Sequence, residues 1–209
     1  MPGDKIAIVS VNNLWGRAHL ATFKKAIEQN KKTLVKEIVV PEFDNNDIQS
    51  HLTSLKPIKP DAIIMALNYG DTVAFIQKKN ALQITGKLLG DFHVADNYAN
   101  GNLSKELLSD VTIFVFSDPS AHFIERYKAA YGKEPGTYAN TAYDAVYVIK
   151  QAIENSGGRT DSDSIVDGLH KITSYQGASG RIDFSKNNYP ANKVPLLKVF
   201  KDGQFVPAR

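Results

Sequence analysis

An α/β fold with a parallel sheet is predicted for the first half of this sequence, followed by a helix-rich second half. Short apolar runs of strand length alternate in the first half with segments of helical periodicity. The first run, Lys5–Val11, is apolar almost throughout, as expected when both faces of a parallel sheet are covered. Strands that alternate with helices in this way form right-handed βαβ units. With 209 residues, the chain is long enough for one large domain or for one and a half small ones.

The strands predicted for the first half are short, rich in β-branched residues and bounded by turn-forming residues. They are Lys5–Val11, Leu34–Val40, Asp61–Ala66, Lys87–Leu89 and Val111–Phe116. Pro41 stops the second of them, because proline lacks the backbone N–H that a sheet needs.

The helices between these strands are predicted from apolar residues three or four apart and from capping side chains. After the first strand, apolar residues recur at this spacing within Leu20–Ile27. After the second, they recur within Ile48–Leu55, behind a capping turn at Asp44–Asp47. Asp71 is predicted to cap a third helix that ends near Leu82.

After Ser117-Asp118-Pro119 the pattern changes to successive helices and then returns to strands. Helices are predicted at Ala121–Tyr131, from about Tyr138 to Asn155, and from Asp161 or Ser162 to about His170. Strands are predicted at Gly177–Phe184 and Val194–Phe200. An Asp202-Gly203 turn leads to Phe205-Val206, so the chain is predicted to end in a β-hairpin.

The longest of these helices has an apolar stripe that must be buried against another element. The members of the stripe are Ala142, Val146, Ile149 and Ile153. The tyrosines at helical spacing, interpreted as core or half-buried surface, are Tyr127, Tyr131, Tyr143 and Tyr147.

Composition excludes several classes of function. The net charge of +3 is mild, and the lysine pairs lie on or just after predicted helices, so no nucleic-acid partner is predicted. The chain has no cysteine, which excludes disulfides and thiolate metal sites. No segment approaches about 18 apolar residues, so membrane insertion is not predicted. Met1–Asp4 has neither the basic nor the apolar region of a signal peptide, and none is expected within this sequence.

The motifs of common catalytic and cofactor sites are absent from the sequence. There is no Gly-x-Ser-x-Gly elbow, no phosphate-binding P-loop and no Gly-x-Gly-x-x-Gly after the first strand. No two of the five histidines lie four residues apart, so there is no i, i+4 histidine pair. We therefore predict no enzyme, no cofactor and no metal. An enzyme on this chain would have to draw its catalytic groups from scattered loops.

Aromatic and amide side chains recur in the loops that follow the predicted strands. They are Asn12 and Trp15 after the first strand, Asn68 and Tyr69 after the third, and Asp91, Phe92 and His93 after the fourth. Ligands of open α/β sheets bind outside the carboxyl ends of the strands, in pockets that are mostly apolar with a few polar groups. This pattern favours a small organic solute. Two alternatives remain: Trp15 and Phe92 pack against neighbouring loops, and Asp91 and His93 form a local polar pair.

Several motifs in order carry a family resemblance. They are Leu14-Trp15-Gly16-Arg17, Phe43-Asp44-Asn45-Asn46-Asp47-Ile48, Pro60-Asp61-Ala62-Ile63-Ile64, Phe123-x-x-x-Tyr127-x-x-x-Tyr131-Gly132-Lys133-Glu134-Pro135 with Ala142-Tyr143-Asp144-Ala145-Val146, and Gly177-x-x-Gly180-x-Ile182-x-Phe184 with Val199-x-x-Asp202-Gly203-x-Phe205. Together they resemble type I periplasmic solute-binding proteins, which serve ABC transporters for branched-chain amino acids, amides and urea. The resemblance covers nearly all of the chain.

In that family two α/β lobes close on a ligand like a hinged clamp. The resemblance implies that residues 1–118 form the Rossmann-like second lobe. Residues 119–190 would be helices and a strand that return to the first lobe, and residues 191–209 the final hinge strand and hairpin. The first lobe would be largely missing, and the stripe along residues 142–153 would lack its sheet. A homodimer is one way in which the chain would bury that surface.

The resemblance also implies roles for individual residues. Trp15 stands where the family often has an aromatic residue that stacks on the ligand, and Asn68 and Tyr69 lie in a loop that faces the cleft. Phe92 stands about where amino-acid binders have a carboxylate for the ligand's ammonium group, with Asp91 as its neighbour. Because an uncompensated ammonium group in a closed cleft is costly, an amide or an aromatic acid competes with an α-amino acid. Tyr138, in the crossing segment, is a weaker candidate.

The function implied is that of an extracytoplasmic solute-binding component of an ABC importer, whose closed form the permease subunits recognise. The protein would be periplasmic or extracellular, either free or lipid-anchored. A ligand-sensing domain of a receptor or transcriptional regulator with the same fold is the alternative.

Overall fold

Parallel strands and amphipathic helices alternate along the first half of the chain, as predicted. The structure is a computed structural model that describes residues 3–42, 48–109, 111–190 and 194–208. Its strands are β1 (Lys5–Val11), β2 (Thr33–Val40), β3 (Ala62–Ala66), β4 (Lys87–Gly90), β5 (Val111–Val115), β6 (Tyr175–Gly177), β7 (Gly180–Ile182), β8 (Leu196–Lys201) and β9 (Gln204–Pro207). Its α-helices are α1 (Leu14–Gln29), α2 (Ile48–Thr53), α3 (Tyr69–Ala81), α4 (Phe92–Ala99), α5 (Ala121–Tyr131), α6 (Ala139–Asn155) and α7 (Ser162–His170).

The chain divides into two compact units. The first comprises Met1–Phe114 together with Leu197–Arg209, and the second comprises Val115–Leu196. Among the described residues, no helix combines the length and the hydropathy that crossing a bilayer would require.

The sheet of the first unit has the strand order β2-β1-β3-β4-β5-β8-β9. β1 pairs in parallel with β2 and β3, and β3–β4 and β4–β5 are parallel as well. The chain leaves β1 for β2 on one side and later enters β3 on the other side. The order of strands therefore reverses between β1 and β3, which makes this the switch point where open α/β sheets bind ligands.

The core around β1 explains why its sequence is apolar on both faces. Ile6 and Ile8 point to one face and pack with Leu20 and Ile27 of α1. Ala7 and Val9 alternate with them and are also fully buried. A strand that is covered on both faces does not alternate apolar and polar residues. The continuous apolar run therefore predicts that β1 is buried on both faces.

Asp61 joins the starts of β1 and β3. Its Oδ2 accepts hydrogen bonds from the backbone N–H groups of Asp4 at 2.8 Å and Lys5 at 2.9 Å. These bonds, first that of Lys5 and then that of Asp4, hold the pKa of Asp61 below its ordinary value of 3.8.

The lowered pKa of Asp61 makes its contribution to stability dependent on pH. Because the folded-state pKa lies below the unfolded one, the contribution is full above pH 3.8 and is lost as the pH falls through the folded value. We expect Asp61→Asn to melt at a lower temperature than the native chain at neutral pH. The two melting curves should converge in acid. A difference in melting temperature that stays constant over the acid range would contradict this role.

The second unit consists of α5, α6, α7 and the antiparallel hairpin β6–β7. Val148 of α6, Ile172 and Ile182 of β7 form its small core. α6 and α7 pack closely at Gly168, where a Cβ atom would lie 2.0 Å from the carbonyl oxygen of Ala152. Only glycine permits this approach of the two helices.

A buried carboxylate connects α6 to the hairpin. Asp144, 2% exposed, accepts hydrogen bonds from the backbone N–H groups of Ala178 at 2.6 Å and Ser179 at 2.7 Å. A Cβ atom on Gly177 would meet the Asp144 carboxyl group at 2.5 Å. The carboxylate thus accepts hydrogen bonds from two backbone N–H groups that have no backbone acceptor within the tight β6–β7 turn.

Three details of the helix and strand predictions are wrong. The cap of α3 is Asn68, and Asp71 lies buried inside the first turn. The strand predicted over Gly177–Phe184 is instead the second part of a hairpin, because Ala178 and Ser179 form its turn. The predicted bounds of α6 are correct to within one residue, and Tyr138, with φ +66°, precedes the helix in a left-handed conformation. Helix α4 was not predicted, and the turn predicted at Asp44–Asp47 lies outside the described residues.

The apolar stripe of α6 is not the face that the helix buries, which fits the expectation that the stripe lacks its sheet. The helix buries the neighbouring face, whose members are Asn140, Asp144, Val148 and Ala152. Val146 is 67% exposed and Ile149 is 48% exposed. On the buried face, the Asp144 carboxylate and the Asn140 amide, which donates to Ser117 Oγ at 3.1 Å, form hydrogen bonds within the second unit. These bonds hold the polar face inward.

Candidate functional site

The loops after β1, β3 and β4 meet at the carboxyl edge of the sheet, next to its switch point. The ring of His93 lies at their centre. Its centroid is 6.0 Å from that of Trp15 and 6.3 Å from that of Tyr69, both in edge-on geometry. Residues from the first turns of α1, α3 and α4 therefore form a single aromatic cluster, which we call the His93 cluster and which comprises Trp15, Tyr69, Phe92 and His93.

The loop after β1 is held by helix capping. Asn13 Oδ1 accepts a hydrogen bond from the backbone N–H of Gly16 at 2.8 Å and so caps α1. Gly16 is buried against Val11, whose carbonyl oxygen would lie 2.0 Å from any Cβ there. This close approach sets the position of Trp15, which is half-buried with its ring 4.3 Å from that of His19. Asn12 accepts from Arg17 through its Oδ1 at 3.0 Å.

The loop after β3 presents Asn68 and Tyr69 at the start of α3. The ring of Tyr69 is partly exposed, and its hydroxyl accepts hydrogen bonds from the side-chain amides of Asn100 at 3.1 Å and Asn102 at 3.0 Å. The backbone carbonyl of Tyr69 accepts a further bond from Asn97 Nδ2 at 2.8 Å. Asn97 lies in α4, and Asn100 and Asn102 directly follow that helix. Their side chains hold Tyr69 beside His93.

The loop after β4 carries a buried acid and an imidazole. Asp91 is 5% exposed and caps α4, since its Oδ1 accepts from the backbone N–H of His93 at 3.0 Å. The Nδ1 atom of the His93 ring lies 3.0 Å and 3.2 Å from the two carboxylate oxygens. The local polar pair considered from the sequence is therefore formed. The Phe92 ring lies 4.1 Å from that of His93.

Glu42 is the site residue that the sequence analysis missed. Its Oε1 accepts hydrogen bonds from Asn13 Nδ2 at 2.9 Å and Asn68 Nδ2 at 3.3 Å. It thereby links the loops after β1 and β3. The signal that could have found it is its position directly after β2, at the same edge of the sheet as the other loops.

Tyr138 belongs to the second unit and is not among the residues of the His93 cluster. It precedes α6, and its carbonyl oxygen accepts from the backbone N–H of Ala142 at 2.9 Å. Two cavities also occur in the second unit. One, of about 730 Å³, is lined largely by aromatic residues of α5, α6 and β6, with Arg126 and His122. The other, of about 560 Å³, is apolar and is lined by residues of α6 and the hairpin, such as Val148 and Phe184.

The chemistry of the His93 cluster suits binding. Aromatic rings offer stacking surfaces, and the amides of Asn12 and Asn68 offer both donors and acceptors. The described residues contain no group of three or more histidine, aspartate or glutamate side chains placed to hold a metal ion.

Comparisons with known proteins identify the family and the fold. A family model described as periplasmic binding protein matches residues 1–204. The structure resembles a leucine-binding protein, LivK, from Thermotoga maritima, with 22% identity and a TM-score of 0.83, over 99% of this chain and 60% of that one. It also resembles a solute-binding protein of an ABC transporter from R. palustris in complex with benzoate (20% identity, TM-score 0.82, 98% of this chain and 57% of that one).

A third similar structure is the branched-chain amino acid binding protein LivJ of Streptococcus pneumoniae in complex with isoleucine. It is 20% identical with a TM-score of 0.78, over 97% of this chain and 58% of that one. At these identities the structures show the fold, a lobe of type I periplasmic binding proteins. The chain spans about 60% of the length of the first of these proteins. No curated protein sequence matches it.

Proposed function

We propose that this chain, which belongs to the periplasmic binding protein family, binds a small organic solute at the His93 cluster. The observation that carries the proposal is the convergence of Trp15, Tyr69 and His93, from the first turns of three helices, at the switch point of the sheet. The family is of a solute-binding, non-enzymatic type. Aromatic rings and side-chain amides are the groups that usually line a solute-binding pocket.

The proposed ligand-contacting residues all belong to the first unit, at the carboxyl ends of β1, β3 and β4. They are Asn12, Trp15, Asn68, Tyr69, Asp91, Phe92 and His93. The similar structures bind leucine, benzoate and isoleucine, so an amino acid, an amide or an aromatic acid are the ligand classes to test.

The same resemblance supports a role in transport. The similar proteins are considerably longer than this chain, which leaves room for a further lobe. We propose that the solute is held between two lobes, that closure presents the protein to ABC permease subunits, and that this takes place in the periplasm or outside the cell. A second lobe or a second copy of the chain would also cover the exposed Val146 and Ile149 of α6.

Trp15 provides the test, because it is the chain's single tryptophan. Its emission therefore reports on the site without labelling. We expect one solute class to change this emission saturably and to raise the melting temperature of the native chain. In Trp15→Ala the dissociation constant, measured by calorimetry, should rise about 30-fold, equivalent to about 2 kcal/mol.

The matched control is Tyr131→Ala, which removes an exposed aromatic ring from the second unit. It should leave the dissociation constant unchanged. Equal losses in the two variants would place the solute elsewhere, and the absence of saturable binding to any solute would overturn the proposal.

A further inference from the structure

A cavity of about 730 Å³ lies within the second unit, between α5, α6 and β6. Small-molecule sites occupy volumes of about 300–1,000 Å³, so this cavity is of suitable size. The aromatic residues of its lining include Phe123 and Tyr127 of α5, Tyr143 of α6 and Tyr175 of β6. We name it the α5–α6 cavity. It shares no residue with the His93 cluster, whose members all belong to the first unit.

Three rings of this lining form a continuous row. The centroid of the Phe123 ring lies 5.7 Å from that of Tyr127 and 5.3 Å from that of Tyr143. Phe123 is buried, whereas Tyr127 is half-buried and Tyr143 is exposed, so the row has a buried centre and accessible ends. Accessible aromatic rings bind other flat rings in offset-stacked or edge-on geometry. The row therefore suits a ligand that contains an aromatic ring.

Two groups that can carry positive charge also line the cavity. His122 and Arg126 are four positions apart in α5, so they lie on consecutive turns of one helix face. Among the described residues Arg126 has no ion pair, whereas Lys128 of the same helix pairs with Glu134. The guanidinium of Arg126 therefore keeps its N–H donors for another acceptor.

The positive charge of Arg126 acts at the Tyr143 end of the aromatic row. The hydrogen bond with Tyr147 and then burial raise the pKa of Tyr143 above its ordinary value of 10.0, and the charge of Arg126 opposes that rise. Because such an effect falls off with distance, the guanidinium lies close to the Tyr143 hydroxyl. One ligand can therefore contact both the cation and the row of rings.

The described lining of the cavity contains no carboxylate. Asp144 lies behind it, since a Cβ atom on Gly177 would meet the Asp144 carboxyl group at 2.5 Å. Asp144 is buried, however, and its two oxygens accept hydrogen bonds from the backbone N–H groups of Ala178 and Ser179. The charge that a ligand meets in the cavity is therefore positive, and it favours an anion.

Donors on consecutive turns suit a phosphate group better than a carboxylate. A phosphate ester has three acceptor oxygens and close to two negative charges, about −1.5 to −2 at neutral pH. Two of the oxygens can meet the planar fork of Arg126, and the third can accept from His122. A carboxylate that binds Arg126 in this way has used both of its oxygens.

We propose that the α5–α6 cavity is a second ligand site, which takes an aromatic phosphate. The phosphate group binds Arg126 and His122, and the ring packs against Tyr127 and Tyr143. This site goes beyond the proposed function and does not depend on it, because the two sites have no residue in common.

Matched probes test the proposal on the native chain. Phenyl phosphate carries the ring and the phosphate, inorganic phosphate lacks the ring, phenol lacks the phosphate, and benzoate has a carboxylate in its place. The titrations are followed at the backbone amide NMR signals of Gln176 and Gly177, which line this cavity and so report on this site. Phenyl phosphate should bind there more tightly than each of the other three probes by about tenfold or more.

A pair of variants separates Arg126 from the general charge of α5. Arg126→Gln should weaken phenyl phosphate by about tenfold or more and leave the melting temperature unchanged, because the side chain is exposed. The matched control is Lys128→Gln, which removes the same charge from the same helix outside the lining. It should change the dissociation constant by less than about twofold.

Several results would overturn the inference. Equal weakening in Lys128→Gln would reduce the effect to net charge, and equal binding of inorganic phosphate, phenol or benzoate at the Gln176 amide would remove the selection of an aromatic phosphate. Phenyl phosphate that leaves this signal unchanged and is lost in Trp15→Ala would lie at the His93 cluster, which overturns the inference and leaves the proposed function intact. A native chain that does not bind phenyl phosphate would also overturn the inference, while Trp15 emission tests the proposed function separately.

Discussion

Replacing Asp144 by alanine is expected to lower the free energy of unfolding by about 3 kcal/mol. Asp144 is 2% exposed and accepts hydrogen bonds from two backbone N–H groups of the β6–β7 turn, at 2.6 Å and 2.7 Å. Hydrogen bonds to a charged acceptor are among the stronger ones, and each buried N–H left without a partner carries its own desolvation cost. Urea denaturation gives the loss, and hydrogen exchange at the amides of Ala178 and Ser179 should accelerate first.

The control for Asp144→Ala is Asp167→Ala, which removes an exposed carboxylate from α7 in the same unit. Its effect on the free energy of unfolding should stay within about 0.5 kcal/mol, as for most surface substitutions. Asp144→Asn should lie between the two, because an amide oxygen can accept only part of what the carboxylate accepts. Unchanged exchange at Ala178 in Asp144→Ala would show that the turn does not depend on this side chain.

The parallel sheet could be predicted from the sequence because its signal is local. Lys5–Val11 is predicted with the bounds that β1 has in the structure, since burial on both faces leaves an unbroken apolar run. The hairpin after Asp202-Gly203 could be predicted for the same reason, as its turn residues are adjacent in sequence.

The buried face of α6 could not be predicted, because distant residues decide it. Asp144 accepts hydrogen bonds from backbone amides more than thirty positions away in the sequence. A local sequence pattern does not predict a hydrogen bond over that separation. Periodicity alone therefore selects the apolar stripe through Val146 and Ile149, while hydrogen bonds hold the neighbouring polar face inward.

The sequence predicts which residues lie at the candidate site, but it does not predict the contacts that hold them. Trp15, Tyr69 and His93 follow predicted strands. Because ligands of open α/β sheets bind outside the carboxyl ends of the strands, these positions could be predicted. What the rule leaves out is how each loop is held. Glu42 acts through amides 26 and 29 positions away, and Tyr69 is held by asparagines of an unpredicted stretch.

Replacing Gly16 by alanine is expected to lower the free energy of unfolding by about 2 kcal/mol and to weaken solute binding at least tenfold. A Cβ atom at this position would lie 2.0 Å from the carbonyl oxygen of Val11 and 2.8 Å from its Cγ1. Since β1 is pinned on both sides by parallel partners, the start of α1 must give way. Trp15, the preceding residue, would move with it.

The sign of this effect distinguishes packing from helix propensity. Alanine is the better helix former by about 1 kcal/mol, so propensity alone predicts that Gly16→Ala stabilises the protein. Gly70 lies in the first turn of α3, where no atom approaches a Cβ within 4 Å, and Gly70→Ala should stabilise the protein by up to about 1 kcal/mol. Opposite shifts in melting temperature for these two substitutions would show that the contact with Val11 positions Trp15. A stabilised Gly16→Ala that keeps its solute affinity would show that the loop after β1 tolerates the added methyl group.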